Sequence, residues 1–134
     1  MPDGVTVKVR NKDKLARKLH QLAPEALKAL TAANYETAGE MVSTAKRFAP
    51  VRTGALQNSI HTEPGPQETG AVRVVAGGPA TTKGGYDYAL GVEFGTSDTP
   101  AGPYFFPSYR LGKRRHKGRV TRALKMSSKK VAKS

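Results

Sequence analysis

Residues 24–60 read PEALKALTAANYETAGEMVSTAKRFAPVRTGALQNSI, and the reading of this stretch decides the fold. Leu27, Leu30, Asn34, Ala38, Met41, Ala45 and Phe48 recur at three- and four-residue spacing, the signature of one helical face. Pro50 ends the helix, and Pro24 fits the first turn of this segment better than the middle of a longer one. The span is about 25 residues, or roughly 37 Å at 1.5 Å per residue. So long a helix in a small domain is expected to lie across a sheet. Ala29, Ala32, Ala33, Ala38, Ala45 and Ala49 would permit close packing along it, but alanine also simply favours helix. In the segment that follows, Thr53 can cap a turn and Gly54 supplies a conformation that a side chain would oppose. Leu56 and Ile60 then pin the re-entering chain to the core.

Working outward, Val5, Val7 and Val9 alternate with polar residues and predict a short strand. Asn11 or Asp13 caps a first helix carrying Leu15, Leu19 and Leu22. On the other side, the runs at 71–76 and 88–94 read as strands. Breaker-rich loops at 63–70, 77–85 and 95–103 separate the elements. The fold class is therefore α+β: long N-terminal helices packed on a small, mainly antiparallel sheet, with a basic C-terminal extension.

A chain of 134 residues is one domain's worth and buries enough surface to fold without staples. It has no cysteine, which excludes disulfides and thiolate metal sites. Its amino terminus lacks an apolar signal core, and no run approaches the roughly 20 apolar residues of a membrane span. A soluble protein folding in a reducing cytoplasm is expected. Net charge is +13, unevenly placed: residues 110–134 hold eleven of the 23 Lys and Arg and no acid, leaving the first 109 residues at +2. This predicts a nearly neutral domain over 1–109 and a cationic tail or helix over 110–134. Arg110, Lys113, Arg114, Arg115, Lys117 and Arg119 are its candidate contacts to a polyanion or an acidic protein surface. Val120, Leu124 and Val131 permit a helix from about Gly118, with a thin apolar face.

The search for reactive chemistry is negative. GGPATTKGG at 77–85 has Thr82 where a phosphate loop needs its second glycine, and Gly84 where it needs the magnesium-binding hydroxyl. His20, His61 and His116 show no metal-ligand spacing. Serine nucleophile motifs are missing. No catalytic residue, cofactor or metal is expected, and the protein reads as a non-enzyme. Glu93 is the one acid in an apolar run, and strand alternation would place it on the face opposite the core, salt-bridged or meeting a partner subunit. Pro103 and Pro107 bracket Tyr104, Phe105 and Phe106 and forbid a regular internal strand there. These aromatics are expected to pack from a fixed extended segment, leaving an anchor for a neighbour. Gly95 closes the preceding element and Thr96 starts the loop.

Taken in order, A-P-V-R-T-G-A-L-x-x-S-I, Y-A-L-G-V-E-F-G-T and A-G-P-Y-F-F-P resemble the neck or tail-completion family of long-tailed bacteriophages, also described as head–tail joining or minor tail proteins. Pro50, Thr53, Gly54, Leu56, Ser59, Ile60, Tyr88, Ala89, Val92, Glu93, Gly95, Thr96, Pro103 and Pro107 fall on the family's positions, over roughly residues 30–110. Tyr104-Phe105-Phe106 with Ser108 departs from the usual Phe-Leu and Ala, and the basic end lies outside the pattern. The resemblance implies a virion component at the head–tail junction that assembles in the host cytoplasm. It also implies a ring of six copies, contacting head-closure or connector proteins on one side and the tail terminator or tube on the other. In that setting Glu93, Tyr104, Phe105 and Phe106 are the candidate intersubunit or partner contacts. Pro50, Thr53, Gly54, Gly95, Pro103 and Pro107 shape the backbone. Packaged DNA would lie nearby; no membrane is involved.

The rival is a small basic nucleic-acid-binding module, supported mainly by charge. Against it, Tyr104 to Tyr109 precede the basic cluster instead of interleaving with it, as stacking recognition of single strands would want. No helix-turn-helix or RNA-binding signature appears.

Overall fold

The computed structural model of the chain describes residues 12–51 and 54–133. Helix α1 (Lys12–Phe48) leads through residues 49–54 to a short helix α2 (Ala55–Ser59). Strands β1 (His61–Pro64) and β2 (Val72–Val75) follow, then a small ribbon of β3 (Thr82–Lys83) and β4 (Tyr86–Asp87). Helix α3 (Tyr88–Phe94) and a long helix α4 (Phe105–Lys133) complete the chain. Both sheets are two-stranded and antiparallel, with His61 opposite Val75 in one and Thr82 opposite Asp87 in the other. A long N-terminal helix packed on a small antiparallel sheet is an α+β fold, as the pattern of elements predicts. The strand expected at Val5–Val9 and the turn residue Thr53 lie outside the described residues.

Helix α1 runs unbroken through Pro24 for 37 residues, so the expected division into two helical segments does not occur. An internal proline costs a hydrogen bond and about 3 kcal/mol. Helix α4 grips α1 on both sides of Pro24. Lys18 Nζ donates to the carbonyls of Val131 and Ala132 at 3.1 and 2.9 Å, and Glu25 pairs with Lys130 at 3.1 Å. The two helices are antiparallel: Lys18 meets Val131, Glu25 meets Lys130, Thr37 meets His116, and Met41 lies beside Gly112. Across this pair Thr37 of α1 and Ser127 and Val131 of α4 are buried, and Ser127 Oγ donates to Glu25 O at 3.4 Å. Of the alanines named along α1, Ala33, Ala38, Ala45 and Ala49 are buried, Ala29 is half-buried and Ala32 is exposed.

The main core forms where the C-terminal end of α1 meets the rest. Ala45, Ala49, Leu56, Ile60, Ala89 and Tyr104 are buried together, with Val42, Ala76, Tyr88, Val92 and Phe105 packed around them. Leu56 and Ile60 pin the chain after Pro50 as expected. Gly54 adopts φ 81°, the left-handed region that only glycine enters cheaply.

Candidate assembly interface at the junction of α3 and α4

Residues 88–94 form a helix, not the predicted strand. An apolar run of this length carries no period that separates the two states. Asp87 decides it: its carboxylate accepts from Ala89 N at 2.9 Å and caps the helix. The same carboxylate accepts from Gly78 N at 2.9 Å and Thr81 Oγ1 at 2.6 Å, and so holds the 77–85 loop in place. That loop is scaffolding for α3. Gly95, at φ 81°, ends α3 and donates its N–H to Gly91 O at 2.7 Å. Thr96 then opens the loop by accepting from Thr99 N at 3.1 Å.

Helical phase, not strand alternation, fixes where Glu93 points. It turns inward with Ala89 and is 6% exposed. Its Oε2 accepts from Tyr104 N and Phe105 N at 2.8 and 2.9 Å, and its Oε1 from Phe106 N at 2.9 Å. These are the N–H groups that open α4, which have no acceptor within their own helix. Pro107 follows in the first turn, where a missing N–H leaves nothing unpaired. Glu93 therefore caps α4 from another element, with its negative charge at the positive end of the helix dipole. Lys18 sits at the opposite end on the last carbonyls. The expected extended aromatic segment is instead the start of a helix, and the expected outward acid is its cap.

This arrangement sorts the four contact candidates. Tyr104 is 2% exposed and donates its hydroxyl to Ala89 O at 2.9 Å. Burial first, and the nearby Glu93 and Asp87 charges second, push its pKa up to about 12. Glu93 and Tyr104 are thus spent inside the subunit. Phe105 is half-buried against the core. Phe106 is exposed and lies 5.8 Å, centroid to centroid, from the exposed Phe94. Leu90, one turn before Phe94, is also exposed. Leu90, Phe94 and Phe106 make an apolar ridge that sequence reasoning found only in Phe106. Reading 88–94 as a helix would have placed Leu90 and Phe94 on one face.

The six basic candidates also divide. Arg119 is drawn onto α1: its guanidinium meets Glu40 at 2.8 and 3.2 Å, Thr37 Oγ1 at 2.7 Å and Glu36 at 3.4 Å. Hydrogen bonding to Arg119 is the largest influence on Glu40, whose pKa is lowered. Arg115 lies 3.8 Å from Glu40. Two of the six candidates, Arg115 and Arg119, thus meet acids of the chain's own α1. Arg110, Lys113, Arg114 and Lys117 are exposed, and none has an ion pair among the described residues. The helix begins at Phe105, well before the expected Gly118, so the anticipated boundary at 109/110 falls inside α4.

Asp87 gives this region a pH dependence. Burial pushes its carboxyl up, but the hydrogen bonds from Thr81, Ala89 and Gly78 together outweigh it and leave the pKa lowered. A carboxyl with a depressed folded pKa contributes stability above its unfolded value near 4, and that contribution is lost as pH falls through the folded pKa. Asp87→Asn is expected to lower stability at neutral pH and to flatten the acid limb of a urea-denaturation series taken from pH 6 downward. An acid limb as steep as the parent's would assign it to other groups.

Among the described residues no three His, Asp or Glu side chains gather to hold a metal ion. No described helix is long and apolar enough to cross a membrane. Residues 13–95 match the HK97-gp10-like family model, described as "Bacteriophage HK97-gp10, putative tail-component". The chain belongs to this family of bacteriophage tail components, and so is a structural protein of the virion. The matched segment spans α1 to α3 and stops at Gly95, before α4. No curated protein and no solved structure matches the chain.

Proposed function

We propose that this protein is a non-enzymatic subunit of the head–tail junction, where six copies form a ring that completes the tail and joins it to the DNA-filled capsid. The observation that carries this reading is the Leu90–Phe94–Phe106 ridge, exposed on a joint that Glu93 holds with three hydrogen bonds. Large exposed apolar side chains on a rigid base are the usual form of an interaction anchor. The ring's two faces would then contact head-closure or connector proteins and the tail terminator or tube.

The outer face of α4 supports a further contact with a neighbouring ring. Arg110, Arg114, Lys117, Lys125 and Lys129 follow one helical stripe of roughly 28 Å. Among the described acids, Glu25, Glu36 and Glu40 are paired to α4, Glu63 to His61 and Arg73, and Asp87 and Glu93 to backbone. Among the described residues this leaves Asp13, Glu68 and Asp98, fewer acids than the stripe has cations. An acidic surface on a different virion protein supplies the complement. Facing the channel, such stripes would grip DNA phosphates and oppose ejection, so the stripe is placed outward.

Electron microscopy of particles assembled without this gene tests the reading. Full heads beside unattached or overlong tails are expected. Normal, infectious particles would overturn it.

A further inference from the structure

A groove of about 450 Å³ lies between α1 and α4. Leu30 and Met41 of α1 and Val120 of α4, all half-buried, form its apolar floor, and the exposed Tyr109, Lys113 and Lys117 stand over it. Between the two helices the Thr37 hydroxyl is shared by His116 Nδ1 and Arg119 Nη1, each at 2.7 Å. These polar groups engage one another, so the groove lacks the convergent polar atoms that orient a small ligand. Its shape suits a side chain or two of another polypeptide.

Charge points to the occupant. Glu36 and Glu40 of α1 are held by Arg119 and Arg115. Arg115 stands about 200° around α4 from Lys113, so those acids are engaged on the other flank of the helix pair. No carboxylate lines the groove: its ionisable lining groups are Tyr109, Lys113, His116 and Lys117. Neither lysine has an ion pair among the described residues. Lys117 also belongs to the stripe that runs from Arg110 to Lys129, so the groove opens onto that cationic face. A second copy of the chain, at +13, is repelled by such a rim. A nucleic-acid backbone would satisfy the lysines but leave the apolar floor against water. An acidic polypeptide with an apolar side chain satisfies both.

We propose that this groove receives an acidic segment of another virion protein, with an apolar side chain on Leu30, Met41 and Val120 and flanking carboxylates on Lys113 and Lys117. The proposal rests on the junction reading and its acidic partner for α4, and names where that partner is anchored. The stripe supplies long-range attraction, and the groove supplies the contact that fixes register.

Photocrosslinking during assembly tests it. Tyr109 is replaced by the photoreactive residue benzoylphenylalanine, infected cells are irradiated, and the adduct is sequenced by mass spectrometry. The expected adduct is a segment of another virion protein with Asp or Glu on both sides of an apolar residue. Adding Lys113→Glu and Lys117→Glu should cut the adduct, scored per molecule of the chain, by roughly tenfold or more. Both lysines are exposed, so the fold should tolerate the change. Arg122→Glu with Lys133→Glu alters net charge equally on exposed positions outside the groove and should keep the adduct. An adduct on DNA, on a second copy of the chain or on a segment without acids overturns the proposal, as does no adduct or an equal response to the two charge reversals. Any of these results leaves the junction reading standing if purified particles contain the protein. Particles that lack the protein overturn the junction reading, and this proposal with it.

Discussion

Glu93→Ala is expected to destabilise the protein by about 4 kcal/mol, more than any other substitution of a single polar group at this joint. The carboxylate receives three N–H groups, two of them on one oxygen, and Glu93 is almost fully buried. Hydrogen bonds to a charged group contribute about 1.5–3 kcal/mol each, and buried donors left unsatisfied cost about 1–3 kcal/mol. The three bonds share one anion and Phe106 is partly open to water, so the total falls below the simple sum. Urea denaturation should show the loss, accompanied by a fall in melting temperature of roughly 10–20 °C. Glu93→Gln keeps the shape and one carbonyl oxygen but turns an amide N–H₂ towards a backbone N–H, and should fall between the two. A loss below about 1 kcal/mol in the alanine variant would show that the start of α4 is held by packing alone.

Tyr104 tells the same story from the other side of the joint. Its hydroxyl binds the carbonyl of Ala89, one turn before Glu93, while its N–H binds Glu93 itself. Helix α3 therefore grips α4 at two places eleven and fifteen residues apart in sequence. This explains why Y-A-L-G-V-E-F and Y-F-F-P occur as separate blocks in one chain: each supplies half of the joint.

What the sequence made legible was local. The three- and four-residue spacing from Leu27 to Phe48 marks a helix whatever surrounds it, and Gly54 announces its left-handed turn through its lack of a side chain. Val72–Val75 alternates within a run of β-branched residues and is a strand. The misreadings arose where distant partners decide the state. Pro24 looks like a helix start until Lys18 and Glu25 are seen bound to α4. Residues 88–94 look like a strand until Asp87 is seen to cap them, an interaction that rests on the fold of the 77–85 loop. Glu93 looks exposed only if that strand is assumed, and one wrong period sends every side chain in the run to the wrong face. The charge of residues 110–134 was plain, but its partial neutralisation by Glu25, Glu36 and Glu40 depends on the antiparallel helix pair, which no local pattern encodes.

Joint replacement of Phe94 and Phe106 by serine is expected to leave a folded protein and to abolish joining. Both rings are exposed, and their mutual contact at 5.8 Å contributes about 0.5–1.5 kcal/mol beyond area. Stability should therefore fall by no more than about 2 kcal/mol, well short of the effect at Glu93. Anchor residues at interfaces commonly cost about 2 kcal/mol or more when truncated. Two such anchors at one contact amount to roughly a thousandfold in affinity at 1.4 kcal/mol per factor of ten. A ring repeats that contact at every subunit boundary, so the deficit compounds. Infectious yield should drop by roughly a hundredfold or more, with full heads and separate tails in the lysate and normal amounts of the variant protein. Phe94→Leu with Phe106→Leu keeps the ridge apolar and should recover most of the yield, which separates loss of the contact from loss of the aromatic pair. Phe105 is the wrong residue for this test, because it packs against the core and its truncation would confound folding with assembly. Normal yield from the double-serine variant would remove the ridge from the assembly pathway, and the exposed face of α4 would then be the surface left to carry joining.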